Sequence, residues 1–130
     1  MVVIGLILAC LAGLVHVFIF YLESIAWTSA LARKTFGTGT VEEATPTKEL
    51  AFNQGFYNLF LAIMVFSGII LYATGHTTAG AALVFAGAGS MVVASAVLII
   101  SSPDKAAAAL KQGVLPLIGV IALAVGLALR

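Results

Sequence analysis

Two ionisable side chains, His16 and Glu23, lie inside an apolar N-terminal segment that is long enough to cross a membrane. A glutamate at the centre of an inserting helix costs roughly 2.5–3.5 kcal/mol on insertion scales, and it usually faces a bundle interior or a water-filled cavity. Both side chains can take up and release protons. We therefore predict a proton-transfer site at Glu23 and His16, with interhelical hydrogen bonding for packing as the alternative.

The spacing of His16 and Glu23 limits what they can do together. Seven residues apart on a helix, they share a face to within about 20° but are separated by roughly 10 Å along the axis. A direct hydrogen bond between them is excluded at this distance. A water, a ligand or a side chain from another helix must lie between them if they act on one molecule.

A second set of polar side chains lies at the start of the next apolar segment: Asn53, Gln54, Tyr57 and Asn58. The first helix ends on the side of the membrane where the second helix begins. Glu23 near the end of one and Tyr57 and Asn58 near the start of the other should therefore lie at the same depth in the membrane. An amide can hydrogen-bond to either protonation state of a carboxyl group. The predicted ligand-binding residues are Trp27, Asn53, Tyr57 and Asn58. Helix capping and interfacial anchoring are the alternative for Asn53 and Gln54.

The composition places these residues in an integral membrane protein. Hydrophobic residues make up 62% of the 130 residues and charged residues 8%, and the mean hydropathy is +1.19. These values lie far outside the range of soluble domains. A net charge of +1 gives no reason to expect nucleic acid as a partner. The expected partner is the lipid bilayer.

Four apolar segments predict an all-α fold, a polytopic bundle of four transmembrane helices in a single domain covering 1–130. The predicted spans are 2–28, 52–74, 78–101 and 110–129. Residues 29–51 are predicted to be a mobile loop, and 103–112 an interfacial helical turn that leads into the fourth span. Barrel strands are excluded because no segment alternates apolar and polar residues.

Basic residues predict the orientation. Five of them lie in the two larger loops, which are predicted to be cytoplasmic: Arg33, Lys34, Lys48, Lys105 and Lys111. Only Arg130 lies on the opposite side, so both termini should be outside. We expect a multi-pass protein of the inner or plasma membrane.

One face of the first helix carries small residues in its first half. Gly5, Ala9 and Gly13 recur at every fourth position, which favours close approach of another helix. The face that includes His16 and Glu23 should be buried. The predicted lipid-facing residues of this helix are Ile4, Ile7, Leu11, Leu14, Phe18, Tyr21, Leu22 and Ile25.

The sequence predicts neither a metal site nor a cofactor. Cys10 is the single cysteine, so no internal disulfide can form. His16 and Glu23 lack a third ligand at suitable spacing. The N-terminal segment has no basic residue before its apolar run, so we expect a retained helix rather than a cleaved signal peptide.

Two stretches carry a specific signature: His16-Val-Phe-Ile-Phe-Tyr-Leu-Glu23 with Trp27, and Asn53-Gln-Gly-Phe-Tyr-Asn58 with Leu61 and Ala62. In these stretches the chain resembles a bacterial and fungal membrane-protein family known as domain of unknown function 1304. The resemblance extends over the whole chain. It implies a four-helix membrane protein and no particular activity.

Three functional hypotheses follow from these residues. The first is an intramembrane polar pocket near the cytoplasmic side that binds a small amphipathic or lipid-like ligand, with proton transfer. The second is a proton-coupled exporter of small molecules that uses Glu23. The third is a non-catalytic subunit of a homo-oligomer or a larger membrane complex, in which the polar residues serve helix packing.

Overall fold

The computed structural model describes all 130 residues, and every regular element in it is helical. The elements in chain order are α1 (Val2–Phe20), a π turn (Tyr21–Ile25), α2 (Ala30–Phe36), α3 (Val41–Ala44), a 3-10 turn (Thr45–Thr47), α4 (Lys48–Ala73), α5 (Thr77–Ser101), a second 3-10 turn (Pro103–Lys105) and α6 (Ala106–Ala128).

Four helical stretches are long and apolar enough to cross a membrane: Val2–Ile25, Val41–Ala73, Thr77–Ser101 and Pro103–Ala128. Large apolar side chains are exposed along their outer faces, and Ile100 reaches 80% exposure. Such a surface suits lipid rather than water, because soluble proteins rarely expose contiguous apolar area of this extent. The predicted all-α fold with four helices long and apolar enough to span a membrane is confirmed, which indicates a membrane protein.

The four long helices form a ring in which each packs against two neighbours. Helix α1 packs on α4 and α6, and α5 packs on the same two helices from the other side. A small central core consists of Val2, Ala9, Ala12, Val65, Val84, Ala88, Met91 and Leu123. We call the end of the bundle that carries α2, α3 and residue 102 the loop end, and the end that carries both termini the terminal end.

Gly5 and Ala9 of α1 lie where α6 comes close, whereas Gly13 lies against Phe66 of α4. A Cβ atom added to Gly5 would lie 2.5 Å from the backbone nitrogen of Leu123, and one added to Gly119 of α6 would lie 3.1 Å from the nitrogen of Ala9. The two backbones therefore approach as closely as small residues allow. This close contact agrees with the helix approach predicted from the glycine repeat and lies in the half of the bundle away from Glu23.

The segment between the first two spans differs from the predicted loop at 29–51. The first helix ends at Ile25 rather than at 28, and α4 begins at Lys48 rather than at 52. Ser29 caps α2 by accepting a hydrogen bond from the Ala32 nitrogen. Thr40 and Glu43 form a reciprocal capping box at α3. Because these caps satisfy the free backbone groups of short helices, the segment folds instead of remaining an irregular loop.

One further boundary and the burial of one residue also differ from the predictions. Helix α6 begins at Ala106 rather than at 110, and it continues from the second 3-10 turn without a break. Leu22 is 1% exposed, although the helical pattern predicted that it faces lipid. Leu22 follows the buried Ile19 by three residues, so both share the flank of α1 that turns towards the bundle interior.

Candidate functional site

The central contact of the site joins Glu23 to Asn58. Asn58 Nδ2 donates a hydrogen bond of 2.7 Å to Glu23 Oε2, and a second, longer one of 3.3 Å to the Gln54 carbonyl of its own helix. Glu23 and Asn58 are both 9% exposed. The predicted meeting of the two polar sets at one depth is therefore present for this pair.

Glu23 lies in the middle of the π turn. The Ala26 nitrogen donates to the Tyr21 carbonyl at 2.9 Å, which is the five-residue hydrogen bond that defines such a turn. This wider turn ends the first span, and residues 26–29 after it are not helical. Turns of this kind occur at the C-terminal ends of helices. The hydrophobic pattern contains no signal that separates a π turn from an α turn, so sequence reasoning missed it.

Ser24 and Gly55 hold the π turn against α4. Ser24 Oγ donates a hydrogen bond of 2.7 Å to the Phe52 carbonyl. A Cβ atom added to Gly55 would collide with Ser24 Oγ and would lie 3.1 Å from the Cβ of Glu23. The absence of a side chain at Gly55 therefore lets the two backbones approach. Neither residue was predicted to take part in the site, although Gly55 lies within the polar cluster and Ser24 adjoins Glu23.

His16 lies two turns before Glu23 and is 2% exposed. Its Nδ1 lies 2.9 Å from the Ala12 carbonyl oxygen of the preceding turn. A carbonyl oxygen only accepts hydrogen bonds, so Nδ1 carries the hydrogen and Nε2 of the neutral ring is an acceptor. His16 makes no hydrogen bond to Glu23, as expected from their spacing.

Among the polar atoms of the site, Glu23 Oε1 and His16 Nε2 have no hydrogen-bond partner in the protein. The only fully buried side-chain nitrogen or oxygen without a partner is Thr38 Oγ1. Glu23 Oε1 and His16 Nε2 are therefore not sealed in the protein interior. Both residues line the same cavity, so these atoms are available to a molecule inside it.

This cavity has a volume of about 840 Å³ and opens into the bundle at the loop end. Fifteen of its 27 lining residues are hydrophobic, so most of its wall is apolar. Its apolar wall includes Val15, Ile19, Leu22, Leu61, Met91 and Leu98. Small-molecule sites typically measure about 300–1,000 Å³, with mostly apolar walls and a few polar groups that fix orientation. The cavity agrees with that description in size and lining.

The structure places the predicted ligand-binding residues around this cavity at different depths. Asn58 is buried beside Glu23, whereas Tyr57 is 61% exposed and Asn53 is also exposed. Tyr57 and Asn53 line the cavity but form no hydrogen bond with Glu23. Asn53 and Tyr57 are four residues apart and share one face of α4, whereas Asn58 is turned about 100° from Tyr57 and contacts Glu23.

Trp27 connects the site to the segment that follows the first span. Its Nε1 donates to the Ala44 carbonyl at 3.0 Å and lies 3.2 Å from Thr47 Oγ1. Its ring packs against Phe36 of α2 with centroids 5.4 Å apart. The indole N–H is thus occupied by the protein, and Trp27 presents only its ring surface to the cavity.

Helix α6 and the turn before it supply a wall that sequence reasoning missed. Lys105, Ala108, Lys111 and Gln112 line the same cavity as Glu23. Sequence analysis assigned the two lysines to orientation alone, because nothing in the sequence pairs the start of the fourth span with the end of the first. No group of three or more His, Cys, Asp or Glu side chains lies close enough to hold a metal ion.

The chain was compared with protein families, curated proteins and solved structures. No curated protein and no solved structure matches it. A family model described as "Protein of unknown function (DUF1304)" matches residues 10–124, a stretch that contains His16, Glu23, Asn58 and both lysines of the cavity wall. Because the match covers most of the chain and agrees with the resemblance seen in the two polar stretches, the protein belongs to this DUF1304 family.

Proposed function

We propose that the cavity at the loop end binds a small amphipathic or lipid-like molecule and that Glu23 and His16 exchange protons with it. The observation that carries this proposal is that Glu23 Oε1 and His16 Nε2, both without a protein partner, belong to side chains lining one largely apolar cavity. If Glu23 and His16 served only helix packing, we would expect each of their polar atoms to be hydrogen-bonded within the bundle.

In Glu23 and in His16, one polar atom is held by a hydrogen bond within the protein, which supports a role in orienting a ligand. Asn58 holds one oxygen of Glu23, and the Ala12 carbonyl holds one nitrogen of His16. The remaining atom of each group therefore keeps a defined direction. Such second-partner hydrogen bonds are how proteins pre-position acid and base groups. Seven residues of separation make room for a ligand between the two groups.

The proposal assigns separate tasks to the two groups. Neutral His16 accepts a proton at Nε2 and returns it from there, while Glu23 gives or takes a proton at Oε1. The apolar wall holds the hydrocarbon part of the ligand and excludes water from the reacting atoms. Asn58 is a positioning residue, since it acts through the carboxyl group.

The test is the amphiphile content of the purified protein. The protein is extracted in a mild detergent, and lipids that remain bound are extracted and quantified by mass spectrometry for wild type, Glu23→Gln and Asn58→Ala. We expect bound amphiphile to fall about tenfold in both variants, since a hydrogen bond to a charged group contributes about 1.5–3 kcal/mol.

Ser95→Ala is the matched control. Ser95 Oγ donates a 2.6 Å hydrogen bond to the Ala109 carbonyl across α5 and α6, and Ser95 does not line the cavity. This variant should retain wild-type occupancy although it loses a buried interhelical hydrogen bond. Equal occupancy in wild type, Glu23→Gln and Asn58→Ala would contradict the proposal, provided that all variants elute as folded protein.

A further inference from the structure

One face at the start of α6, with the last residue of the 3-10 turn before it, forms part of the cavity wall. Lys105, Ala108 and Lys111 are spaced three residues apart and Gln112 adjoins Lys111, so the four residues lie on one side of the helix. All four line the cavity. Lys105 and Lys111 are exposed, which places them at its rim rather than in its depth.

The two lysines have no charged partner in the protein. No salt bridge within 4.0 Å forms anywhere in the chain, and neither lysine donates a hydrogen bond to another side chain. Asp104 adjoins Lys105 in the sequence but does not line the cavity. Glu23 is the only carboxylate in the wall, and it is bonded to Asn58. Two cations without a charged partner therefore border a cavity whose wall is mostly apolar.

We propose that the ligand of this cavity is an amphiphile with an anionic headgroup, which Lys105 and Lys111 bind at the rim. This inference rests on the proposed function and adds the chemical class of the ligand. An anionic headgroup complements both ammonium groups, whereas a cationic headgroup would meet two like charges. A neutral headgroup could accept hydrogen bonds from the ammonium groups but would gain no charge attraction.

The apolar part of the ligand has a continuous surface to follow from the rim inwards. Leu98 and Met91 of α5 line the cavity on one side, and Ile19 and Leu22 of α1 line it on the other. Met91 and Leu22 are each 1% exposed, so the cavity reaches the closed interior of the bundle. A ligand lying along these residues would place its inner end near His16 and Glu23, so the group that exchanges protons with them belongs to that end and not to the headgroup.

The experiment uses four photoreactive probes that share one alkyl chain with a diazirine and differ only in the headgroup: a carboxylate, a phosphate monoester, an alcohol and an amine. Each probe is crosslinked to the full-length protein in detergent, and labelled peptides are identified by mass spectrometry. At least one anionic probe should label the cavity peptides several-fold more than the alcohol and the amine do. A preference for carboxylate or for phosphate identifies which anion the rim selects.

Two double variants separate a binding role from a general effect of positive charge. Lys105→Gln/Lys111→Gln should lower labelling by the preferred anionic probe about threefold to tenfold, as expected for two exposed ion pairs. Lys34→Gln/Lys48→Gln removes two exposed lysines that do not line the cavity and should leave labelling unchanged.

The outcomes distinguish this inference from the function on which it rests. Equal labelling of the cavity by all four probes would overturn the anionic headgroup and leave an amphiphile-binding cavity in place. Equal loss in both double variants would overturn it as well, because the effect would then be one of overall charge. Absence of cavity labelling by every probe would contradict the proposed function itself.

Discussion

Glu23 and Asn58 share a 2.7 Å hydrogen bond that joins two helices in a region where neither side chain has bulk water as an alternative partner. Hydrogen bonds to ionised groups are roughly twice as strong as neutral ones. Interhelical polar contacts in membrane proteins nevertheless average only about 0.6 kcal/mol, because the separated helices also find partners. The Glu23–Asn58 pair therefore orients the carboxyl group more than it holds the bundle together.

A double-mutant cycle measures this contact. Glu23→Ala and Asn58→Ala, alone and combined, should give a coupling energy of about 1 kcal/mol in detergent unfolding experiments, within the range for interhelical pairs. The matched cycle pairs Asn58→Ala with Ser95→Ala, which should be additive within about 0.5 kcal/mol. A coupling energy near zero for Glu23 and Asn58 would show that the bond does not persist in the folded protein.

At the scale of elements, the π turn and α4 fit together through one glycine. Ser24 donates to the Phe52 carbonyl, and Phe20 packs edge-on against Phe56 with centroids 5.1 Å apart, so contacts flank Gly55 on both sides. The π turn cannot separate from α4 at Gly55 without losing these contacts. The position of Glu23 thus depends on a residue that has no side chain.

Substitution of this glycine tests the fit. Gly55→Ala places a Cβ 3.0 Å from the Ser24 nitrogen and should lower the free energy of unfolding by about 1–3 kcal/mol, as overpacking does. The control is Gly89→Ala in α5, where an added Cβ meets no atom within 4 Å. That variant should be neutral or more stable by up to about 1 kcal/mol, because alanine favours a helix. Similar destabilisation of both variants would contradict a specific contact at Gly55.

At the scale of the whole molecule, the charge distribution bears on orientation. Both lysines of the cavity wall and Arg33, Lys34 and Lys48 lie at the loop end, whereas Arg130 is at the terminal end. The excess of basic residues predicts that the loop end faces the cytoplasm. The cavity would then open towards the cytoplasmic leaflet, whose anionic lipids carry headgroups of the charge that the rim complements.

Cysteine labelling tests this orientation in a Cys10→Ala background. Glu42→Cys marks the loop end and Thr77→Cys marks the terminal end, and both positions are exposed. A membrane-impermeant maleimide should label Glu42→Cys only in inside-out vesicles and Thr77→Cys only in right-side-out vesicles. Mixed labelling of either position in both vesicle types would indicate a dual orientation.

The sequence was sufficient for the number of spans and for the contact between Glu23 and Asn58, because both follow from hydrophobic length and helix rise. It was not sufficient for the π turn, since a single five-residue hydrogen bond leaves no periodic signal. Ser29 and Thr40 are residue types that commonly cap helices, so both helix starts could have been predicted. They were missed because the mixed charge of residues 29–51 favoured a loop. The lysine wall depends on which helices are neighbours, and a ring of four antiparallel helices can be closed in more than one way.

The π turn also has a consequence for the direction of the side chains at the end of the first span. Its ring takes in one residue more per hydrogen bond than an α turn, and residues 26–29 after it are not helical. An α turn in the same place would change the direction of the side chains within it, so the approach of Glu23 to Asn58 depends on the wider turn as well as on residue type.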